Sequence, residues 1–276
     1  MEKFIDKINK EHLREYLQKC SNVVNIDKDL AFDTTLNYIK KHNGLNISEN
    51  DMIKIINLEN KWYKSIKENN PDYSVYSDPY YFCETWLCWI KYSRRYLKEI
   101  QSKKSLFNKS ICDDMSNVNV ILDLGCGSGY TTGALKEIFV DSKVYGTNIE
   151  NTNQYNFAKE LGKNNNFNII GSHNNIKCDL IFASEYFEHF KNPIEHLIDI
   201  LMNCNPEYMI IANTFTQKAI GHFDNYVHNN KNYNGKQISK LFNSTLIKEG
   251  YEKVKTKCWN NRPMYWKKIK YNQLPI

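Results

Sequence analysis

The chain has few of the features that would place it in a membrane or outside the cell. Its longest apolar runs have the length of a strand, whereas a membrane-spanning helix needs roughly 20 apolar residues. The first residues, Met1 to Phe4, lack the apolar stretch of a secretory signal. The 276 residues, 41% of them hydrophobic, suffice for one sizeable α/β core and an accessory lobe. We therefore expect a soluble, cytoplasmic protein without a membrane partner.

Paired cysteine motifs are also absent. The eight cysteines include no Cys-x-x-Cys pair, and several fall in apolar strands or on helix faces, at positions 20, 83, 88, 112, 126, 178, 204 and 258. This distribution argues against a zinc site or a disulfide framework and predicts reduced core residues.

The charge is not strongly one-sided. The net charge is +6, and basic residues concentrate near the end of the chain, at Lys253, Lys255, Lys257, Arg262, Lys267, Lys268 and Lys270. Such a run favours a solvated face over a nucleic-acid footprint, although it leaves a nucleic-acid acceptor open.

Two regions with different hydrophobic periodicity divide the chain. Residues 1–114 have apolar positions at helical spacing, and Ser48-x-x-Asp51 resembles a capping box that opens a helix over 52–67, which predicts a helical N-terminal lobe. From residue 115 to 276, strands are predicted at 118–124, 143–149, 166–170, 179–184 and 208–213, with helical segments between them. This alternation predicts an α/β, Rossmann-like doubly wound sheet. A helix at 237–248 and strands at 251–259 and 264–271 then predict a terminal antiparallel hairpin, for seven strands in all.

A glycine loop follows the first predicted strand, in the segment Asp123-Leu124-Gly125-Cys126-Gly127-Ser128-Gly129-Tyr130. Glycines allow the backbone to turn sharply and to approach a ligand closely. A dinucleotide fingerprint needs its third glycine where Tyr130 stands, which disfavours an NAD-dependent oxidoreductase. The loop and the terminal hairpin instead resemble the class I S-adenosylmethionine-dependent methyltransferases, over about residues 115–271.

The resemblance implies S-adenosylmethionine as the cofactor. It implies that the amino-acid end of the cofactor is held by Asp123 and by the loop residues Gly125, Cys126, Gly127, Ser128 and Gly129. The family's ribose-binding acid falls on Asn148, and Glu150 lies two residues later on the same strand face. Ser184 and Glu185, at the end of the fourth strand, complete the expected cofactor-binding set.

The fourth strand leads into Glu185-x-x-Glu188-His189, which has two interpretations. The Glu-His pair can be structural, as in many class I methyltransferases. Alternatively, Glu185, Glu188 and His189 could converge on a divalent metal, with His222 as a fourth ligand, because oxygen and imidazole donors suit such ions. This second arrangement is similar to the small-RNA 3′-terminal 2′-O-methyltransferases and, in part, to the ubiquinone-pathway O-methyltransferases. There the metal would lower the pKa of an acceptor hydroxyl.

Without a metal, His189 or His222 is the natural general base, and Glu188 belongs to the same catalytic set. The expected function is methyl transfer to an oxygen or nitrogen of a small molecule, nucleotide or nucleic acid. Two alternatives remain: an aminopropyl or aminocarboxypropyl transferase on the same fold, and a non-catalytic, nucleic-acid-binding partner subunit.

Overall fold

A computed structural model of the chain describes residues 49–78, 81, 85, 89–101, 105–106, 109–110, 115–254 and 263–269. Our predictions for residues 1–48 and for the hairpin loop at 255–262 lie outside these residues. So do Cys20, Cys83, Cys88, Cys112 and Cys258. The three described cysteines, at positions 126, 178 and 204, are buried free thiols, as expected for reduced core residues.

The described helices and strands follow one another along the chain. The helices are α1 (Glu49–Lys67), α2 (Arg94–Gln101), α3 (Tyr130–Ile138), α4 (Asn153–Asn165), α5 (Pro193–Cys204) and α6 (Gly235–Lys248). The strands are β1 (Ser105–Leu106), β2 (Lys109–Ser110), β3 (Val120–Leu124), β4 (Lys143–Thr147), β5 (Asn168–Ile170), β6 (Leu180–Ser184), β7 (Tyr208–Ala212), β8 (Tyr226–His228), β9 (Lys231–Tyr233), β10 (Tyr251–Val254) and β11 (Met264–Lys268). Short 3₁₀ turns cover Tyr73–Ser77 and Phe187–His189, and a π-helical turn covers Trp89–Ser93.

Seven of the strands form one sheet in the order β10-β11-β7-β6-β3-β4-β5. Strand β11 is antiparallel to both β7 and β10, and the remaining pairs are parallel. The predicted Rossmann-like sheet with a terminal antiparallel hairpin is therefore confirmed. The carboxyl ends of β3, β4, β6 and β7 meet at one edge, which is where such sheets bind ligands.

The central strands β3, β6 and β7 are mostly apolar because both faces of the sheet are covered. Alternate residues of β7 enter different cores: Ile210 packs on the side of α3 and α4, and Ile211 packs on the side of α5 and α6. The N-terminal helices join these same cores, since Trp62 of α1 belongs to one and Leu97 of α2 to the other. The domain boundary at residues 114 and 115 stays a prediction.

Three predicted features need correction. The lobe before residue 115 is not entirely helical, because β1 and β2 form a small antiparallel pair. Strand β4 ends at Thr147, two residues earlier than predicted. The hairpin of β8 and β9 was missed, although Asn229 and Asn230 between them both have positive φ, 48° and 59°, as Asn-rich tight turns do.

Among the helices in the described part of the chain, none has the length and apolar character needed to cross a membrane.

Candidate functional site

The glycine loop is attached to the end of the neighbouring strand β4. Gly125 N donates to Thr147 Oγ1 (3.0 Å), and Cys126 N donates to the Thr147 carbonyl oxygen (2.9 Å). Gly125 has φ +65°, and a Cβ there would lie 2.5 Å from Cδ2 of Tyr186. Only glycine satisfies both the backbone conformation and the space available.

Asp123 lies beneath the loop and is 1% exposed. Its Oδ2 accepts hydrogen bonds from Thr131 Oγ1 (2.5 Å) and Thr132 Oγ1 (2.7 Å) at the start of α3. Burial raises the pKa of Asp123 to about 7, although the two threonine bonds oppose the shift. The carboxyl group therefore joins β3 to the first turn of α3 and supports the loop from behind.

The raised pKa predicts a specific pH dependence of stability. Between pH 3.8 and about 7 the unfolded chain ionises Asp123 while the native protein keeps it protonated, so the free energy of unfolding should fall as the pH rises. The variant Asp123→Asn keeps an oxygen acceptor for the threonines and should lose this component. Urea unfolding of both proteins across this pH range measures the difference, and parallel curves would contradict the prediction.

The two candidates for the ribose-binding position separate in the structure. Asn148 donates from Nδ2 to the Gly127 carbonyl oxygen (2.7 Å), and its Oδ1 accepts from Ile149 N (2.8 Å). A carboxylate at this position could not make the first bond. Glu150 is exposed, lies over Gly171 and accepts from Tyr155 Oη (3.4 Å). Asn148 lines the cavity described next, and Glu150 does not.

A cavity of about 900 Å³ opens at the carboxyl edge of the sheet. Most of the predicted cofactor residues line it: Asp123, Gly125, Cys126, Gly127, Ser128, Asn148, Ser184 and Glu185. Gly129 and Glu150 are not part of its wall. Gly129 instead packs against α4, where a Cβ would lie 3.1 Å from Cβ of Ala158. The N-terminal region also lines the cavity, through Tyr76, Tyr81, Trp89 and Tyr92.

Glu185 is held in an unusual backbone conformation at this edge. Its φ is +53°, whereas the other described non-glycine residues with positive φ are all asparagines. Such strain is found mainly at functional sites. Its Oε2 accepts from Thr214 Oγ1 (2.6 Å), and Ser184 beside it accepts from Ser93 (3.1 Å, Oγ to Oγ). Glu185 is therefore fixed between the ends of β6 and β7.

Of the three predicted catalytic residues, two line the cavity and one is buried outside its wall. Glu188 is fully buried and does not line the cavity; its Oε1 accepts from Thr214 N (2.6 Å) and lies 2.7 Å from Thr214 Oγ1. His189 and His222 both line the cavity, with perpendicular rings whose centroids are 4.8 Å apart. Burial, and secondarily His222, lowers the pKa of His189 well below its usual range, so that this ring is neutral at physiological pH. The two histidines therefore face the cavity, whereas Glu188 lies outside its wall and contacts Thr214.

The proposed metal site is not supported. Within the described residues, which include all four proposed ligands, no three His, Cys, Asp or Glu side chains converge as a metal-binding group. The carboxylates of Glu185 and Glu188 face Thr214, while His189 pairs with Tyr76 and His222 pairs with the Gln217 backbone. One donor atom of each side chain is thus held by a protein partner, and among the described residues the four side chains do not converge on a common point.

A second histidine pair was missed in the sequence. His196 hydrogen bonds through Nε2 to Tyr186 Oη (2.9 Å) and stacks on Phe190 (3.8 Å between centroids). His173 pairs with Asp199 (2.8 Å, Nε2 to Oδ2), and both histidines line the cavity. Burial, followed by the neighbouring His173, lowers the pKa of His196 to about 4. No sequence spacing indicates this pair, because packing of the segment after β5 against α5 brings the rings together.

Comparison with known proteins agrees with this fold. A family model described as a methyltransferase domain matches residues 87–249, more than half of the chain, so the chain belongs to this family. The resemblance to class I S-adenosylmethionine-dependent methyltransferases is thus confirmed. Among curated proteins, none matches the sequence.

Solved structures of methyltransferases are similar to the chain at low identity. They include plantazolicin methyltransferase BpumL in complex with a pentazolic desmethylPZN analog and SAH (21% identity, 58% of this chain, 61% of that chain, TM-score 0.40). Another is an O-methyltransferase family protein from Burkholderia thailandensis (8% identity, 69% of this chain, 60% of that chain, TM-score 0.48). A third is a SAM-dependent methyltransferase from Aquifex aeolicus (16% identity, 63% of this chain, 95% of that chain, TM-score 0.38). The chain covers about three fifths of the first two proteins.

Proposed function

We propose that the protein is an S-adenosylmethionine-dependent methyltransferase acting on an oxygen or nitrogen acceptor. One observation carries this proposal: the glycine loop and the two histidines line the same cavity of about 900 Å³ at the carboxyl edge of the sheet. This volume lies within the roughly 300–1,000 Å³ of typical ligand sites, at the upper end, where a nucleoside cofactor and a small acceptor group fit together.

The residues present fit the cofactor. Gly125 and Gly127 line the cavity with backbone alone, because both have positive φ and no side chain; the space that a Cβ of Gly125 would take is filled by the ring of Tyr186. Asn148, Ser184 and Glu185 would contact the cofactor from the ends of β4 and β6. When bound, S-adenosylmethionine supplies a methyl group on a sulfonium, which is an excellent leaving group. The protein then has to align the acceptor and remove one proton.

In this proposal, His189 and His222 are the side chains available to remove that proton from the acceptor. Both imidazoles lie on the cavity wall, and an imidazole can take the acceptor's proton without a metal. The aromatic wall of Tyr76, Tyr81 and Trp89 supports a planar acceptor, either a small molecule or a nucleotide unit. The two alternative functions have no structural observation in their favour.

Calorimetric titration with S-adenosylhomocysteine tests the cofactor assignment, with NAD as the control ligand. We expect binding in the micromolar range for S-adenosylhomocysteine and none for NAD. Binding would justify screening nucleosides, RNA, DNA and small phenols and amines as acceptors, with product mass separating methyl from aminopropyl transfer. Absence of binding would contradict the proposal.

The same titration separates Asn148 from Glu150. We expect Asn148→Ala to weaken S-adenosylhomocysteine binding about fivefold, because the lost bond to Gly127, worth about 1 kcal/mol, no longer holds the loop in its binding conformation. Glu150→Ala should leave the affinity unchanged, since this side chain lies outside the cavity wall. If Glu150→Ala weakens binding more than Asn148→Ala does, the assignment of Asn148 is wrong.

A further inference from the structure

The part of the chain that precedes the matched family domain contacts both cavity histidines. Residues 49–78 lie outside the range 87–249 covered by the family model. From this segment, Tyr76 Oη lies 3.0 Å from Nδ1 of His189, and Trp62 Nε1 donates to the His222 carbonyl oxygen (2.6 Å). Each contact joins residues more than 100 positions apart, so both depend on the tertiary fold and cannot be read from local sequence.

The partner of His222 determines which ring nitrogen carries its proton. Nδ1 of His222 lies 2.9 Å from the backbone carbonyl oxygen of Gln217, and a carbonyl oxygen can only accept. Nδ1 of His222 is therefore the protonated nitrogen of the neutral ring. Nε2 then holds the lone pair, and this side chain lines the cavity.

The partner of His189 imposes the opposite tautomer. Tyr76 is 8% exposed, and its hydrogen-bond partner among the described residues is Nδ1 of His189. A buried O–H without an acceptor costs about 1–3 kcal/mol, so the phenol donates to Nδ1 and the ring proton of His189 stays on Nε2. Burial also raises the pKa of Tyr76, which keeps this O–H in place.

We propose that Tyr76 is a positioning residue that fixes His189 as a hydrogen-bond donor, leaving His222 as the imidazole that takes the acceptor's proton. This inference rests on the proposed methyl transfer. Nε2 of His222 receives the proton from the acceptor oxygen or nitrogen as that atom's lone pair bonds to the methyl carbon. The electron pair of the broken C–S bond remains on sulfur, and His222 later returns the proton to solvent.

Gly221 makes this arrangement possible. It has φ +87°, and a Cβ at this position would overlap Nδ1 of His189 and Oη of Tyr76. The Tyr76 and His189 pair therefore occupies the space that any other residue at 221 would fill. Tyr76, His189 and His222 line the cavity, and Gly221 lies directly against Tyr76 and His189.

Nitrogen NMR of the full chain labelled with ¹⁵N-histidine tests the two tautomers without any acceptor. We expect His189 protonated on Nε2 and His222 protonated on Nδ1, with signals assigned from His189→Gln and His222→Gln proteins. Tyr76→Phe removes only the hydroxyl and should convert His189 to a tautomer mixture while His222 stays unchanged. Tyr73→Phe is the matched control, because Tyr73 stacks on Tyr76 (6.2 Å, 13°) but is 52% exposed.

The same tautomer on both histidines, or an unchanged His189 signal in Tyr76→Phe, would overturn the proposal. S-adenosylhomocysteine affinity should be the same in Tyr76→Phe and the parent protein, and a clear loss would show that Tyr76 acts structurally. For any acceptor found by screening, Tyr76→Phe should lower kcat and leave KM for the cofactor unchanged. Failure of the proposed function would instead appear as absent cofactor binding in the parent protein, where the tautomers stay measurable.

Discussion

Replacing Gly125 with alanine should weaken S-adenosylhomocysteine binding at least about 100-fold, which corresponds to about 3 kcal/mol. The φ of +65° costs an alanine about 1–2 kcal/mol, and the new Cβ would lie 2.5 Å from Cδ2 of Tyr186. Tyr186 cannot easily move, because its hydroxyl bonds to His196 and its ring packs against Phe187 and Phe190. The loop would have to shift instead, and calorimetric titration of Gly125→Ala measures the consequence.

Gly250→Ala is the matched control for this experiment. Gly250 also has a positive φ, +84°, but a Cβ there meets no atom within 4 Å, and the residue does not line the cavity. The Gly250→Ala variant should lose about 1 kcal/mol of stability through backbone strain and keep its full affinity for S-adenosylhomocysteine. Equal losses of affinity in the two variants would show that general destabilisation, and not loop geometry, controls binding.

Trp62→Ala should lower the free energy of unfolding by about 3–5 kcal/mol, the range expected for removing a buried tryptophan. Trp62 is fully buried, donates to the His222 carbonyl oxygen and packs edge-on against Phe223 (5.4 Å between centroids). The cavity left by alanine would lie between α1 and the segment after β7. Urea unfolding followed by circular dichroism measures the loss.

Two comparisons make the Trp62 result specific. Trp62→Phe keeps most of the volume and should cost about 1–3 kcal/mol, since the His222 carbonyl loses its donor. Met202→Ala, at a 75% exposed position on α5, should change stability by less than about 0.5 kcal/mol.

The number of unfolding transitions in Trp62→Ala tests the predicted N-terminal lobe. If a minor part of the circular dichroism signal is lost in an early transition and the sheet unfolds in a separate one, residues before 115 form an independent lobe, as the sequence predicts. A single shifted transition would place Trp62 in the same cooperative unit as the sheet.

The fold could be predicted from the sequence because its signals are local. Strands β3, β6 and β7 have runs of consecutive apolar residues; Asp123 lies near the end of β3, and the glycines at 125, 127 and 129 follow it. In a parallel sheet the ends of such strands must meet at one edge, so the cavity's position follows from strand order. The missed hairpin at Asn229-Asn230 also had a local signal, in its two asparagines.

The described residues do not support the metal hypothesis, for a reason that the sequence does not contain. Glu185, Glu188 and His189 are close in sequence, which suggested convergent ligands. Their orientation depends on Thr214, which comes from the end of β7 and binds both carboxylates. A donor 26 and 29 residues away therefore decides where the two side chains point.

By itself, the sequence determined the doubly wound sheet, the methyltransferase family and the glycine loop, because hydrophobic periodicity and glycine conformation act within a few residues. Only the tertiary structure decided that Asn148 and not Glu150 faces the cavity, and that Tyr76 and Trp62 contact His189 and His222. Those contacts depend on how helices and loops pack across long sequence separations. Hydrogen-bond partners, and with them the proton positions on both histidines, are set by that packing.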